Sequence, residues 1–180
     1  MSGLPDGFVL AGGASSRMGS DKATLAWRGA PLGLRLAELL GTACGRVSIV
    51  RRELADPAWS LADGRRVASI GAEGGGHRHP LWGIAAALRE ARSPWAVLCA
   101  TDLVGLTRAD VGAVAAAPDQ VATWHGQWAL LLSLSVGRLG EVEALAAEGA
   151  PVAALVAGLR AVPLLGPVVD ANTRPDLDEA

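Results

Sequence analysis

The chain has 180 residues, 51% of them apolar, and its 16 basic and 18 acidic side chains leave a formal net charge of −2. That length and apolar content suffice for one domain with a full core, and the near balance of scattered charges disfavours a nucleic-acid-binding protein. Two cysteines, Cys44 and Cys99, are too few and too far apart for a disulfide framework or a Cys-x-x-Cys metal site, which fits a reducing cytosol.

The amino terminus has no basic segment before an apolar run, so the sequence shows no signal peptide. Every later apolar run is interrupted well before the roughly 20 residues that a membrane-spanning helix needs. We therefore expect a soluble, cytoplasmic protein that binds neither membrane nor nucleic acid.

Apolar runs bounded by turn residues alternate with stretches of helical spacing, which is typical of β-α units around a mostly parallel sheet. Strands are predicted at 8–10, 47–50, 67–70, 95–99, 121–124, 129–134 and 160–163. Helices are predicted at 32–40, 81–91, 109–116 and 139–147, with a further helix opened by Pro151 in its first turn. Thr107 and Asp110 have capping-box spacing, and the segment 71–80, with four glycines and two histidines, is predicted to be a mobile loop.

A glycine-punctuated loop follows the first predicted strand and is the strongest functional signal. Gly12 and Gly13 lack the Cβ atoms that would keep a triphosphate away from backbone N–H groups, and Arg17 and Lys22 add positive charge. The loop is not a Walker A motif, because Ser20 and Asp21 separate the last glycine from the lysine, and it does not match the dinucleotide fingerprint. It predicts a phosphate-binding loop of a different kind.

Asp102 lies just beyond the apolar run 95–99. Because ligands bind beyond the carboxyl ends of strands in open α/β sheets, Asp102 is expected to face the same crevice as the glycine loop. One carboxylate together with waters and substrate phosphates is a suitable shell for Mg²⁺. The sequence therefore predicts Asp102 as a metal ligand, although it could also cap the following helix.

Two further segments contribute polar groups to the predicted crevice. At 79–84 a glycine-rich loop enters a helix, where backbone amides could meet a ligand. At 172–177, Thr173 and Asp176 have the spacing of a helix cap and Asn172 directly precedes it.

These four blocks, in this order, resemble the molybdenum cofactor guanylyltransferases, a family of nucleoside-triphosphate transferases. The most specific block runs from Leu10 to Lys22, through Leu-Ala-Gly-Gly, Ser-Ser-Arg-Met-Gly and Asp-Lys. Residues 79–84 resemble the Gly-Pro-Leu-x-Gly turn of the family, Asp102 its metal-binding aspartate, and 172–177 its Asn-Thr-Pro-x-Asp-Leu ending. The resemblance spans almost the whole chain and implies one domain over 1–180, a Rossmann-like three-layer α/β sandwich of the nucleotide-diphospho-sugar transferase type.

The resemblance also implies an activity and a set of site residues. The protein would join the GMP part of GTP to molybdopterin, the organic part of the molybdenum cofactor, and release pyrophosphate, with Mg²⁺ as its cofactor and molybdoenzyme-maturation proteins as partners. Arg17, Lys22 and Asp102 would be the catalytic residues and Asp102 the metal ligand. Asn172 would contact the acceptor, and the nucleotide would be bound by Leu10, Ala11, Gly12, Gly13, Arg17 and Lys22.

The sequence departs from the family pattern where the base should bind. Glu73 stands near the place of an aspartate after the third strand, and Arg51 and Arg52 stand near the place of an asparagine after the second. His79 and Trp82 replace small residues in the turn. A cytidylyltransferase using CTP, another nucleoside-triphosphate transferase and a non-catalytic nucleotide-binding subunit therefore stay open as alternatives.

The histidines and tryptophans have structural interpretations as well. His77 and His79 with Glu73 have irregular loop spacing, so we predict no zinc site. Most of the six tryptophans are expected to pack in the core or at its rim. Trp82 is the one tryptophan that we consider as a candidate ligand contact.

Overall fold

A computed structural model of the chain describes residues 3–11, 22–51, 58–71, 79–166 and 169–170. Its helices are α1 (Leu32–Leu40), α2 (Pro80–Glu90), α3 (Arg108–Ala115), α4 (Leu139–Ala147) and α5 (Val152–Val156). Its strands are β1 (Asp6–Leu10), β2 (Ala26–Trp27), β3 (Ala30–Pro31), β4 (Arg46–Arg51), β5 (Ala68–Gly71), β6 (Trp95–Ala100), β7 (Leu103–Val104), β8 (Gln120–Trp124), β9 (Gln127–Ser135), β10 (Arg160–Pro163) and β11 (Val169–Asp170).

Seven of the strands form one sheet in the order β10-β8-β9-β6-β1-β4-β5. Every neighbouring pair is parallel except the two pairs made by β9, which runs antiparallel to both β6 and β8. The predicted mostly parallel α/β sheet is thereby confirmed, and all seven predicted strands belong to it, with ends shifted by at most two residues.

The sheet is apolar on both faces, as a sheet covered by helices must be. Successive residues of each strand point to opposite faces, so Val9 and Ile49 join the core cluster that contains α1 and α3, whereas Phe8 and Val50 join the cluster under α2 and α4. Both cysteines are buried in the first cluster. The result is a three-layer sandwich with helices on both faces.

The helix ends follow their local sequence. Thr107 caps α3 in a complete capping box, because its hydroxyl accepts from the Asp110 backbone N–H while the Asp110 carboxylate accepts from the Thr107 N–H. Pro151 differs from the prediction: its ψ of 151° is extended, so it precedes α5 instead of lying in its first turn. Within the described residues, no helix is long and apolar enough to cross a membrane.

Polar side chains tie the amino edge of the sheet, where the parallel strands begin, to neighbouring backbone. The Asp6 carboxylate is 4% exposed, accepts from the backbone N–H of Arg92 at 2.6 Å and of Ser93 at 3.2 Å, and lies 3.7 Å from the Arg46 guanidinium. On the same side, the Arg65 guanidinium donates to the carbonyls that end α1 and precede β4, namely Gly41, Cys44 and Gly45.

Candidate functional site

The carboxyl ends of β1, β4 and β6 lie side by side at the opposite edge of the sheet. Leu10 pairs with Val50 on one side and with Ala100 on the other. Beyond the strand, the Ala11 N–H donates to the Val50 carbonyl at 2.8 Å, and the Thr101 N–H donates to the Leu10 carbonyl at 3.3 Å. The segment that leads into the glycine loop and the turn that leads to Asp102 therefore start next to each other, as predicted.

Asp102 lies partly buried in the turn between β6 and β7, where it is followed by the buried residues Leu103 and Val104. Burial raises the pKa of the Cys99 thiol, and the nearby negative charge of Asp102 raises it further. The Asp102 carboxylate therefore lies close enough to the buried Cys99 for the two groups to interact electrostatically. Among the described residues, no group of three or more His, Cys, Asp or Glu side chains could hold a metal ion.

Lys22 opens a short 3-10 turn, Lys22–Thr24, and is only 9% exposed although it is charged. The next residue, Ala23, is fully buried against α1. Gly33 of α1 permits this close packing, because a Cβ there would lie 3.0 Å from the Ala23 Cβ and 2.8 Å from the Trp59 ring. Lys22 is also the only lysine among the 16 basic residues of the chain, so its ammonium group is distinct from every other side-chain cation.

The first turn of α2 covers the same edge from the other face. A Cβ on Gly83 would be 3.9 Å from both the Leu10 and the Val50 side chains, so the helix starts directly over the ends of β1 and β4. His79 has a structural role here, because its Nδ1 accepts from the Leu81 N–H at 3.3 Å and caps the helix. The indole nitrogen of Trp82 is buried without a hydrogen-bond partner among the described residues, and a ligand contact of Trp82 stays a prediction.

Arg51 is a charged residue at this edge to which the sequence reasoning assigned no role. It is the last residue of β4, pairs with Gly71 of β5 and is 9% exposed. Arg51 directly follows Val50 in β4, and the Val50 carbonyl accepts a hydrogen bond from the Ala11 N–H. An arginine directly after the apolar residues Ile49 and Val50 was the available signal.

The hairpin between β8 and β9 also reaches the carboxyl edge. Its turn residues His125 and Gly126 have left-handed φ values of 48° and 77°, which is the geometry of a two-residue hairpin turn. Trp124 packs against the core, with its ring 4.4 Å from that of His125 in an edge-to-face contact, whereas Trp128 is 43% exposed. The prediction that most of the tryptophans pack in the core or at its rim is confirmed, since five of the six are partly buried and Trp128 is the exposed one.

The last described strand, β11, leads the chain back to Asp102. It pairs antiparallel with β7, so Asp170 is level with Leu103, the residue after Asp102. Several predicted site or loop residues lie outside the described residues, and they are Gly12, Gly13, Arg17, Glu73, His77, Asn172 and most of the loop 71–80. Of that loop, the structure describes Gly71 as the end of β5 and Pro80 as the start of α2.

Comparison of the sequence with known proteins identifies one family and a curated relative. The family profile described as the MobA-like NTP transferase domain matches residues 7–162. A probable molybdenum cofactor guanylyltransferase from Synechococcus elongatus is 35% identical over 113 residues, which cover 59% of this chain and 54% of that protein. The match thus spans about half the length of the curated relative.

Solved structures share the fold. Molybdopterin-guanine dinucleotide biosynthesis protein A from Archaeoglobus fulgidus has a TM-score of 0.67 and 19% identity, covering 97% of this chain and 95% of that one. Rv0371c from Mycobacterium tuberculosis H37Rv, in a complex with manganese, has a TM-score of 0.69 and 22% identity, with 97% and 96% coverage. At these identities the likeness establishes the three-layer fold.

Proposed function

The chain belongs to the MobA-like NTP transferase family, and from that premise we propose that it joins the GMP part of GTP to molybdopterin with release of pyrophosphate. The observation that carries the proposal is the pair of hydrogen bonds at the carboxyl edge, from Ala11 to Val50 and from Thr101 to Leu10. They set the entrance of a glycine loop beside the turn that holds a carboxylate. An enzyme that transfers a nucleotidyl group needs this juxtaposition of a phosphate cradle and a metal ligand.

In the proposed reaction, an oxygen of the molybdopterin phosphate attacks the α-phosphorus of GTP. The bond from that phosphorus to the bridging oxygen breaks, and its electron pair leaves with pyrophosphate. The nucleophile is already an anion and pyrophosphate is a good leaving group, so the protein does not need to form a covalent intermediate. Positioning and charge stabilisation are its main contributions.

The residues of the glycine loop and Lys22 bind the triphosphate in this proposal. Backbone N–H groups at Gly12 and Gly13 form its cradle, which Leu10 and Ala11 lead into, and Arg17 and Lys22 neutralise charge that moves toward the leaving group. Lys22 is held by the buried packing of Ala23 against α1, so its position is fixed before substrate binds.

Asp102 holds a divalent ion in this proposal, and Mg²⁺ is the ion we expect. The ion would supply positive charge to the phosphate oxygens of both reactants. A single partly buried carboxylate at the strand end fits such an ion, and the manganese complex of the M. tuberculosis neighbour is compatible with a divalent metal in this fold.

The acceptor contact, the cellular compartment and the partner proteins complete the proposed function. We propose that Asn172, two residues after β11 in the sequence, contacts molybdopterin. We further propose that residues 1–180 act as one domain in the cytoplasm and pass their product to proteins that mature molybdoenzymes.

Nucleotide-dependent pyrophosphate release tests the proposal. The purified chain would be incubated with Mg²⁺, molybdopterin and GTP, CTP or ATP in turn, beside a Lys22→Ala variant. We expect release with GTP above CTP and ATP, and its loss in the variant. Preference for CTP would identify a cytidylyltransferase, and nucleotide binding without release would indicate a binding subunit.

A further inference from the structure

Trp128 lies on a well-defined hairpin at the carboxyl edge of the sheet. Thr123 pairs with Trp128 and Trp124 pairs with Gln127 across the two-residue turn. The turn residue His125 is braced by its edge-to-face contact with Trp124. The backbone that carries Trp128 is therefore fixed by strand pairing on one side and by ring packing at the turn.

The pairing of β9 with β6 shows that Trp128 and Asp102 lie at the same edge of the sheet. Cys99 pairs with Leu131 in an antiparallel arrangement. Three residues beyond Cys99 toward the carboxyl edge is Asp102, and three residues beyond Leu131 in the same direction is Trp128. The two residues thus both lie beyond the last paired residues of β6 and β9, on neighbouring parts of the carboxyl edge.

Exposure distinguishes Trp128 from the other aromatic residues of the sheet. In the part of the chain that the structure describes, three large apolar side chains are exposed, namely Leu4, Trp128 and Leu165. Leu4 precedes β1 and lies at the amino edge, away from Asp102. Trp128 is the aromatic member of the set, and an exposed indole face is a surface on which flat rings stack.

The strand order assigns Trp128 to one reactant. In the strand order, β6 lies between β1, which leads into the glycine loop, and β9, of which Trp128 is the second residue, so β6 and Asp102 separate the end of β1 from Trp128. A divalent ion held by Asp102 would supply positive charge to the phosphates of both reactants, and the region beyond β6 would then be left for the second reactant. This step rests on the proposed function.

We propose that Trp128 is an acceptor-binding residue and that its indole stacks on the flat, nitrogen-containing fused ring of the acceptor, the pterin of molybdopterin. Stacking requires a π-face and not a particular pattern of hydrogen bonds, which suits a fused heterocycle. Removing an aromatic platform of this kind weakens binding of a stacked base roughly 5- to 150-fold.

The test measures acceptor binding and turnover separately on the full chain. Wild type, Trp128→Ala, Trp128→Phe and the control Leu165→Ala would be titrated with molybdopterin in the presence of Mg²⁺ and a non-hydrolysable GTP analogue, with the heat of binding measured by titration calorimetry. Pyrophosphate release would be followed in parallel at varied molybdopterin and at varied GTP.

We expect Trp128→Ala to weaken molybdopterin binding and raise its KM by about tenfold or more, with the KM for GTP within about twofold of wild type. Trp128→Phe should keep most of the binding, and Leu165→Ala should match wild type. Wild-type acceptor binding in Trp128→Ala, or no molybdopterin binding by the wild type, would overturn the assignment. Binding without pyrophosphate release would leave it standing and refute the transfer reaction instead.

Discussion

The two edges of the central sheet use charged residues in different ways. At the amino edge, Asp6 and Arg65 hold neighbouring backbone groups through short hydrogen bonds. At the carboxyl edge, Asp102 lies in the turn after β6, and Lys22 follows the glycine loop in the chain. The comparison teaches that a buried charge is not in itself a sign of function, since Asp6 is more buried than Lys22. What differs is the strand end at which the charge lies.

Substitutions at the carboxyl edge should have the largest effect, and on catalysis. We expect Asp102→Asn and Lys22→Ala each to lower kcat/KM for pyrophosphate release by about 100-fold or more, because each removes charge stabilisation of the phosphates. The midpoint of thermal unfolding should change by less than about 3 °C.

Lys22→Arg is the matched control for charge. It keeps the positive charge but replaces a compact ammonium with a planar guanidinium, so an intermediate rate is expected. Rates equal to wild type in Asp102→Asn or Lys22→Ala would remove the functional distinction between the two edges.

At the amino edge the expected effect is on stability. Asp6→Ala removes the shared acceptor of two partly buried backbone N–H groups, those of Arg92 and Ser93, and the ion-pair partner of Arg46. We expect a loss of about 3 kcal/mol in the free energy of unfolding, or about 6–12 °C in the unfolding midpoint, measured by calorimetry. The control Glu143→Ala, which removes a partly exposed pair with Arg89, should cost about 0.5 kcal/mol. A stable Asp6→Ala variant with reduced kcat/KM would contradict the comparison.

Asp110 is a second carboxylate to compare with Asp102, which it follows by eight residues in the chain. The Asp110 carboxylate already accepts hydrogen bonds from several N–H and O–H groups of the protein. Its carboxylate accepts from the Thr107 N–H and hydroxyl and from the Leu165 N–H. Burial by itself would raise the pKa of Asp110, but the hydrogen bonds from Thr107, Leu165 and Gly166 together hold it below its ordinary value. The fold therefore stabilises the ionised form.

This lowered pKa gives stability a defined pH dependence. The contribution of Asp110 is complete above the pKa of the unfolded chain, about 3.9, and is lost as the pH falls through the lower pKa of the folded protein. Wild type should exceed Asp110→Asn by about 1–2 kcal/mol at neutral pH, and the difference should shrink in acid. Urea unfolding of both proteins across that range measures it. A difference that grew on acidification would be the opposite of this expectation.

The smallest expected effect comes from Gly112 in α3. A Cβ at this position meets no atom within 4 Å, so the glycine has no steric need to be there. Gly112→Ala should stabilise the protein by about 0.5–1 kcal/mol through a lower entropy of the unfolded chain and a better helix propensity. Its kcat/KM should be unchanged, which a combined unfolding and rate measurement would establish.

Apolar patterning was enough to predict the sheet and most of the helices. Strands such as β1 and β6 are continuous apolar runs between turn residues, and the Thr107 capping box marks the start of α3. Two-residue strands such as β7 and β11 were not predicted, because their pairing depends on tertiary contacts and leaves no periodic signal. The antiparallel direction of β9 was likewise not predicted, although the tight turn at His125 and Gly126 requires it.

The site could be predicted where a motif fixes both the residue type and its position. Ala11 and Asp102 follow strands whose neighbours the fold brings together, so their proximity follows from the rule for parallel sheets. Arg51 and Trp128 received no role, because each looks like an ordinary strand residue until the sheet order places it at the carboxyl edge. The roles of Gly12, Gly13, Arg17 and Asn172 stay predictions.

The central claim is that the carboxyl edge transfers a nucleotidyl group, and transfer of a label tests it most directly. GTP carrying a radioactive α-phosphate would be incubated with Mg²⁺, molybdopterin and either wild type or Asp102→Asn, and the labelled products would be separated. The account predicts that wild type moves the label from GTP to molybdopterin in step with pyrophosphate release, and that Asp102→Asn does so at least about 100-fold more slowly. Label that stays on GTP, or that moves equally fast in both proteins, would contradict it.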